Sequence, residues 1–485
     1  MSSSNKVVII GGGVSGLAAG CVLARRGVDV TVFEANEKLG GCCTTTKVGG
    51  YTFHDGAVYL AAVGLLDYGF TKLGLDRATQ VPLRKIVPTL SVTLPDGAIV
   101  TVGNDLDVRV EGRAPDSARL QAELRRMLRT WGPVLDAVLG HLAIEPFSPW
   151  RAMRYGFRHL HKFRGTVASE IRRLITDEPI RAALAGALLH TGLPPNDMPI
   201  ANILGLISTL RDGLFLPEGG MGRISDALSA ALQGHGGQLR FSSPVRHIVV
   251  EDGRVHGVRV AEGDQVEAAG VISTVSPMST FTSLVDRVDV PASMTRRIES
   301  ARLSHRAVSI QLGLANIIGT RALLNLVVPM LENQDQVLTQ DPRAVTWPVY
   351  SVPTMILPEL APSGGSIVEM FVPVSSDVSL EKWEEGQKEE FAESAVRALR
   401  RFHDLDVAVT RVRTPRDFRD QMHLHQGALY GLSPAVPPQK QFAQTSPIHG
   451  LLLAGQSTYP GYGVAPAIMS GIFAADAMIA SVLSR

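Results

Sequence analysis

The sequence predicts an α/β fold: a three-layer domain around a parallel sheet, joined to a discontinuous α+β domain and a helical segment. Three observations predict it. An apolar strand, a glycine loop, a helix and a second strand follow one another within residues 6–34. A block from about 116 to 210, rich in Leu, Ala and Arg, is helical in pattern. Short strand-like runs recur between residues 234 and 374, punctuated by Gly, Pro and Ser.

Taking the elements in order, Lys6–Ile10 (KVVII) reads as a buried parallel strand. Gly11-Gly12-Gly13-Val14-Ser15-Gly16 follows and satisfies G-x-G-x-x-G. It opens a helix from about Ser15 to Arg26, and the next strand, from Asp29, ends on the acid Glu34. In that context the pattern is a Rossmann-like dinucleotide-binding fingerprint. Gly11 permits the tight turn, and Gly13 lets backbone amides reach a pyrophosphate. Val14 and Ser15 lie in the first turn of a helix whose N-terminus carries partial positive charge, and Gly16 lets that helix pack on the strand. Glu34 is placed to accept from ribose hydroxyls. The fingerprint alone does not separate NAD from FAD.

Bulk properties narrow the class. The chain has 485 residues, enough for about three domains. Its 47 basic and 46 acidic residues leave a formal charge of +1, which argues against a nucleic-acid partner. Cys21, Cys42 and Cys43 have neither the number for a disulfide framework nor metal-ligand spacing. No metal is expected, and a reducing, cytoplasmic compartment fits. The apolar opening Val7–Ala24 holds five glycines and reads as structure, not as an export signal. No other apolar run reaches about twenty residues, so no spanning helix is expected.

The residues after Glu34 carry a family resemblance. Ala35-Asn36-Glu37-Lys38-Leu39-Gly40-Gly41 resembles the extension of the flavin amine oxidase and carotenoid desaturase superfamily. This implies FAD, held non-covalently, with Glu34, Ala35, Lys38, Gly40 and Gly41 around its phosphates. That superfamily usually has Arg directly after Gly-Gly, whereas this chain has Cys42. The departure removes a phosphate-facing cation and places Cys42 near the cofactor as a small filler. Gly50–Gly56 (GYTFHDG) is similar to the strand-turn whose glycine passes the flavin ring, which implicates Gly56 and Ala57. Leu216–Gly222 (LPEGGMG) is similar to the family's proline-glycine-glycine entry to a helix, and Gly236–Ile248 to its adenine clamp, where the Val245 backbone meets the base. Gly450–Gly471 resembles the C-terminal flavin segment: a strand to Ala454, a loop with Gly455 and Gln456, and a helix entered through Gly463 and Val464. Gln456 stands where relatives often carry an acid. The implied organisation is FAD-binding parts at 1–110, 210–285 and 415–485, a helical substrate- or membrane-facing segment at 111–209, and a β-rich substrate domain at 286–414.

Within the superfamily, Leu303–Leu314 lacks the Lys common in amine oxidases. Val349–Gly365, Thr414–Asp417 (TPRD) and Gly427–Gly431 (GALYG) resemble instead the branch of phytoene desaturases, carotenoid isomerases and retinol saturase. The resemblance implies desaturation of an apolar polyene or isoprenoid by hydride transfer to flavin N5. Amine oxidation stays open, with Tyr430 and Tyr462 as an aromatic cage or as packing against the flavin. So do double-bond isomerisation and a purely structural role for FAD in a partner subunit. His425 is a further catalytic candidate. No second fingerprint serves a nicotinamide, so electrons are expected to leave to oxygen, a quinone or another acceptor. Finally, Trp150, Met153, Phe157 and Leu160 share one helical face and Arg151, Arg154, Arg158 and Lys162 another, in a stretch (150–173) with seven basic residues and one acid. Two readings stand: peripheral membrane contact, or a helix packed on the core with a solvated basic face.

Overall fold

The structure, a computed structural model, describes residues 5–483 apart from 104–105, 113–115, 262 and 376–377. Its first body is a parallel sheet of Lys6–Ile10 (β1), Asp29–Phe33 (β2), Gln238–Arg240 (β3), Gly270–Ser273 (β4) and Leu451–Leu453 (β5), in the order β3-β2-β1-β4-β5. Both neighbours of β1 run parallel to it, with Val7 opposite Val30 on one side and Gly270 on the other. The pleat divides the apolar residues of β1. Val7 and Ile9 enter the core beneath a helical layer, and Val8 and Ile10 meet Val245, Ile248, Val255 and Val258 on the opposite face. Those four belong to an antiparallel sheet of Val245–Glu251, Arg254–Val260 and Gln265–Glu267, which completes three layers.

The helical layer consists of Val14–Arg25 (α1), Gly222–Gly234 (α2) and Val464–Met478 (α3). Every α1 residue from Val14 to Ala24 is buried, which explains an apolar stretch without amphipathic pattern. Helices α1 and α3 pack backbone to backbone: a Cβ on Gly471 would lie 2.0 Å from the Ser15 carbonyl oxygen. Extended through Ile479–Leu483, α3 reaches 20 residues with apolarity sufficient to cross a membrane. The sequence reading counted no such run beyond the opening segment. Packing on α1 and the Arg26–Asp476 ion pair explain this helix as part of a core.

The second body is an eight-stranded sheet. Val407–Arg413 forms one edge, and Arg306–Leu314 and then Ser366–Val374 follow it inward. Leu324–Val327 pairs in parallel with Leu90–Thr93, which brings Ile99–Val102 and Val108–Glu111 into the same sheet. The sequence boundary at 110 grouped these early strands with the cofactor-binding part. Sheet pairing puts them with the second body, a register that no local pattern encodes. The helices between Ser117 and Asp212 pack on this end of the sheet through Leu124, Met127, Trp131 and Ile171. A helix over Gln387–Leu399 covers the sheet through Phe391 and Leu399.

Candidate active site

A cavity of about 2110 Å³ begins at the C-terminal ends of β1 and β4, where the strand order reverses. That switch point is where open α/β sheets bind ligands. Of the residues singled out around the cofactor in the sequence, all but Gly16 line the cavity. Gly16 sits behind it, where a Cβ would lie 2.1 Å from the Gly11 carbonyl oxygen and force α1 off its strand.

Four features fit a dinucleotide. First, α1 starts at Gly13 with no side-chain cap and no acid in its first turn. Its amides are uncompensated in the way an anion-binding helix end requires. Second, a Cβ built on Gly13 meets nothing within 4 Å, so that face is open, and the buried Ser15 Oγ beside it has no hydrogen-bond partner. Third, the Glu34 carboxylate accepts from the Gly12 amide (2.7 Å) and the Asn36 amide (2.8 Å). Each oxygen keeps a second lone pair for a ribose hydroxyl. Fourth, α3 starts at Gly463 (φ 106°), again with no capping side chain and no acid in its first turn. Its N-terminus supplies a second partial positive charge on the cavity wall.

The turn after β2 is tied to this loop. The Gly40 amide donates to the Gly12 carbonyl (2.8 Å), and the Ala57 amide donates to the Cys42 carbonyl (2.8 Å). Gly56 packs on Cys42 so closely that a Cβ would stand 2.8 Å from that carbonyl. Burial pushes the Cys42 thiol up to about 11, with Arg413 opposing the shift, so the thiol stays protonated at neutral pH. Thr274, which sequence reasoning missed, donates to the Ile10 carbonyl (2.9 Å) and locks the ends of β1 and β4 together.

Deeper in the cavity lies a cluster that only the fold assembles. Tyr430 and Tyr462 meet with ring centroids 4.7 Å apart, His305 lies 5.6 Å from Tyr430, and His190 meets Tyr59 edge-on at 6.4 Å. All five line the cavity. The His190 Nδ1 pairs with the Ala187 carbonyl at 3.0 Å, so Nδ1 carries the proton and Nε2 the lone pair. Burial, helped by His190, pushes the His305 imidazole down to about 4, so that ring is neutral at pH 7; His190, whose ring is exposed toward the cavity, is lowered by partial desolvation there. Burial raises the three phenols, that of Tyr462 to about 12. His425 bonds Ser279 (2.8 Å), on the segment after β4. Tyr59, His190 and His305 carry no local sequence signal; they converge from three distant elements.

Beyond the cluster the cavity continues between apolar walls, including Leu135, Leu139, Leu142, Leu188 and Leu326, and reaches Ala152, Leu160 and Phe163. There the surface is unusual. Trp150, Met153, Phe157 and Leu160 are 61%, 59%, 66% and 57% exposed. The apolar face of Pro149–Lys162 therefore points outward, contrary to packing on the core. The basic face is not uniformly solvated either: Arg151 turns toward Glu145 (3.9 Å), and Lys162 donates to the Thr130 carbonyl (2.7 Å). Arg154 and Arg158 are exposed.

Comparison with known proteins agrees with this geometry. The family model described as flavin containing amine oxidoreductase matches residues 14–479. A zeta-carotene-forming phytoene desaturase of Myxococcus xanthus is 26% identical, over 97% of this chain and 93% of its own. A lycopene-forming phytoene desaturase of Pseudescherichia vulneris is 25% identical, over 98% and 99%. A solved putrescine oxidase shares the fold, at a TM-score of 0.64 and 15% identity, over 98% of this chain and 99% of that one.

Proposed function

We propose, for a chain that belongs to the flavin containing amine oxidoreductase family and is an FAD-dependent oxidoreductase, that it desaturates an apolar polyene or isoprenoid. The observation that carries this reading is the continuity of the cavity. One space of about 2110 Å³ runs from the dinucleotide cradle, past the tyrosine and histidine cluster, along apolar walls to an exposed apolar patch. Drug-sized ligands occupy roughly 300–1,000 Å³. The excess suits a cofactor together with a long apolar substrate, and the likeness to two phytoene desaturases points the same way.

Bound FAD, held non-covalently, supplies the acceptor for a hydride from an activated C–H bond. The protein supplies the rest. Its apolar walls exclude water and align the chain of the substrate, and the Tyr430–Tyr462 pair flanks the reacting segment. Removal of a hydride makes the adjacent C–H strongly acidic, so a weak base suffices to take that proton. Neutral His305 and the Nε2 of His190 offer such bases without adding charge to an apolar cavity. Oxygen, a quinone or another oxidant would be the final acceptor of the electrons.

The exposed residues Trp150, Met153, Phe157 and Leu160, with Arg154 and Arg158 beside them, support docking at an anionic membrane surface. Because Leu160 belongs to both patch and cavity, an apolar substrate passes from lipid to site without crossing water. The test is anaerobic bleaching of the yellow protein against polyenes, isoprenoids and amines. Bleaching by polyenes or isoprenoids is expected. Efficient bleaching by small primary amines alone would overturn the desaturase reading in favour of C–N oxidation. Turnover of a polyene to a geometric isomer, without net bleaching, would favour isomerisation.

A further inference from the structure

The turn Gly40-Gly41-Cys42 faces the start of α1, yet it carries no charge; its third residue is a protonated thiol. A charge arrives there from elsewhere. Arg413 ends the strand Val407–Arg413 of the other sheet, lines the cavity, and lies close enough to Cys42 to act on its thiol. Its side chain is 12% exposed and is fixed on Asp55: Nη2 stands 2.6 Å from Oδ1, and Nη1 donates to the Asp55 carbonyl at 3.1 Å.

Asp55 alone does not balance the two cations that it holds. Arg411 reaches the same Asp55 Oδ1 at 2.7 Å, so two guanidinium groups share one carboxylate that is 3% exposed. The other Asp55 oxygen accepts from Thr46 (2.7 Å). Asp417, the next acid to feel Arg413, is engaged by the Thr414 amide (2.7 Å) and by Lys388 (3.1 Å), a cation that the exposed Glu385 also holds (2.6 Å). A pair of cations against one anion, mostly withdrawn from water, is costly without a further anion. The remaining cations of the cavity wall, Lys38, Arg151, Arg246 and Arg419, are more exposed or turned to other partners. The pyrophosphate is the anionic part of a flavin dinucleotide, and α1 supplies only a partial positive charge to it.

We infer that Arg413 is a cofactor-binding residue that supplies, from the substrate sheet, the pyrophosphate-facing cation that the Gly40–Cys42 turn lacks. Asp55 is its positioning residue, and Arg411 holds Asp55 from the other side. A guanidinium in this place is rigid, always charged and matched to phosphate oxygens. The inference rests on the flavoprotein reading, and the experiment separates the two.

Wild type, Arg413→Gln, Arg413→Lys and the double variant Arg413→Gln/Cys42→Arg are stripped of flavin and titrated with FAD by fluorescence quenching. Melting of each apoprotein reports on the fold. Arg413→Gln is expected to weaken FAD binding about tenfold or more, the usual scale of a charge-assisted bond. Arg413→Lys should lose less. Adding Cys42→Arg to the Arg413→Gln variant should recover most of the loss, and riboflavin affinity should not respond to any of the three. FAD affinity unchanged in Arg413→Gln would overturn the inference. So would a loss that Cys42→Arg cannot rescue, or a lowered apoprotein melting point as the only effect, since Arg413 would then be merely structural. Wild type that binds no flavin would break the flavoprotein reading itself.

Discussion

The cradle around β1–α1 and the wall around residues 135–163 face each other across one cavity, and they are built on opposite rules. The cradle is made of backbone: bare helix ends, amides held by Glu34, and glycines such as Gly16 and Gly56 where a side chain would collide. The wall is made of side chains from scattered elements, apolar inside and apolar again on its outer surface. A ligand common to a whole family can be held by backbone, which resists change. A substrate that differs between relatives needs a wall that can change without disturbing the sheet.

The sharpest way to break this comparison is to place a side chain where the cradle forbids one. Gly16→Val puts a branched Cβ 2.1 Å from the Gly11 carbonyl, so α1 must leave its strand. The expected product is insoluble or colourless, as judged by solubility and flavin absorbance. A yellow, stable variant would show that the cradle tolerates side chains as the wall does.

The outer wall should respond next most strongly, and without touching the cofactor. Trp150→Ser with Phe157→Ser removes two side chains that are 61% and 66% exposed. Each large apolar group buried in lipid contributes roughly 1.5–3 kcal/mol, so vesicle partitioning should fall about a hundredfold or more. Arg154→Gln with Arg158→Gln should weaken binding to anionic vesicles alone, by about 1 kcal/mol per residue. Flavin content should stay at the wild-type level in both. Wild type that ignores anionic vesicles at low salt would remove the membrane from this reading.

Within the cradle, Glu34→Ala deletes the acceptor for the Gly12 and Asn36 amides and for a ribose hydroxyl. One charge-assisted bond is worth roughly 1.5–3 kcal/mol, so FAD affinity should drop at least about tenfold, measured by flavin retained after dialysis. Full retention would mean that the carboxylate serves only the loop.

The legibility of the sequence followed the same division. The strands Lys6–Ile10 and Asp29–Phe33 and helix α1 fell within a residue of expectation, because their signals are local: an apolar run, a glycine, an acid at fixed spacing. The departure at Cys42 was visible too, but its proposed compensation was not. Arg413 lies 371 positions away, and the only hint was its alternation with Arg411, which puts both on one face of a strand. The sequence likewise showed an amphipathic basic helix at 150–164 but not which face meets solvent, because that depends on what the rest of the chain leaves uncovered. His190 and His305, two positions in a long chain, meet only through the fold.

The last effect expected is on acid stability. The His305 imidazole is held near 4 in the folded protein, against 6.5 when exposed. Between those values the unfolded chain binds a proton that the folded chain refuses, so native stability falls as the pH drops through this window. The slope from one such group is at most about 1.4 kcal/mol per pH unit. Above pH 6.5 the group contributes nothing. His305→Leu should therefore flatten the loss of melting temperature between pH 6.5 and 4. An unchanged slope would mean that the ring is protonated or solvated in the native protein.

The close packing of α1 on α3 also sets a timetable for biosynthesis. The first cofactor loop emerges from the ribosome with residues 11–16, but the parallel sheet closes only with Leu451–Leu453, and the second helix end arrives with Gly463. Until then the apolar face of α1, which α3 will cover, has no partner. Until Gly463 has been made, the nascent chain thus carries an incomplete flavin site. Cofactor loading is a late event, open to interception by chaperones or proteases wherever flavin is scarce.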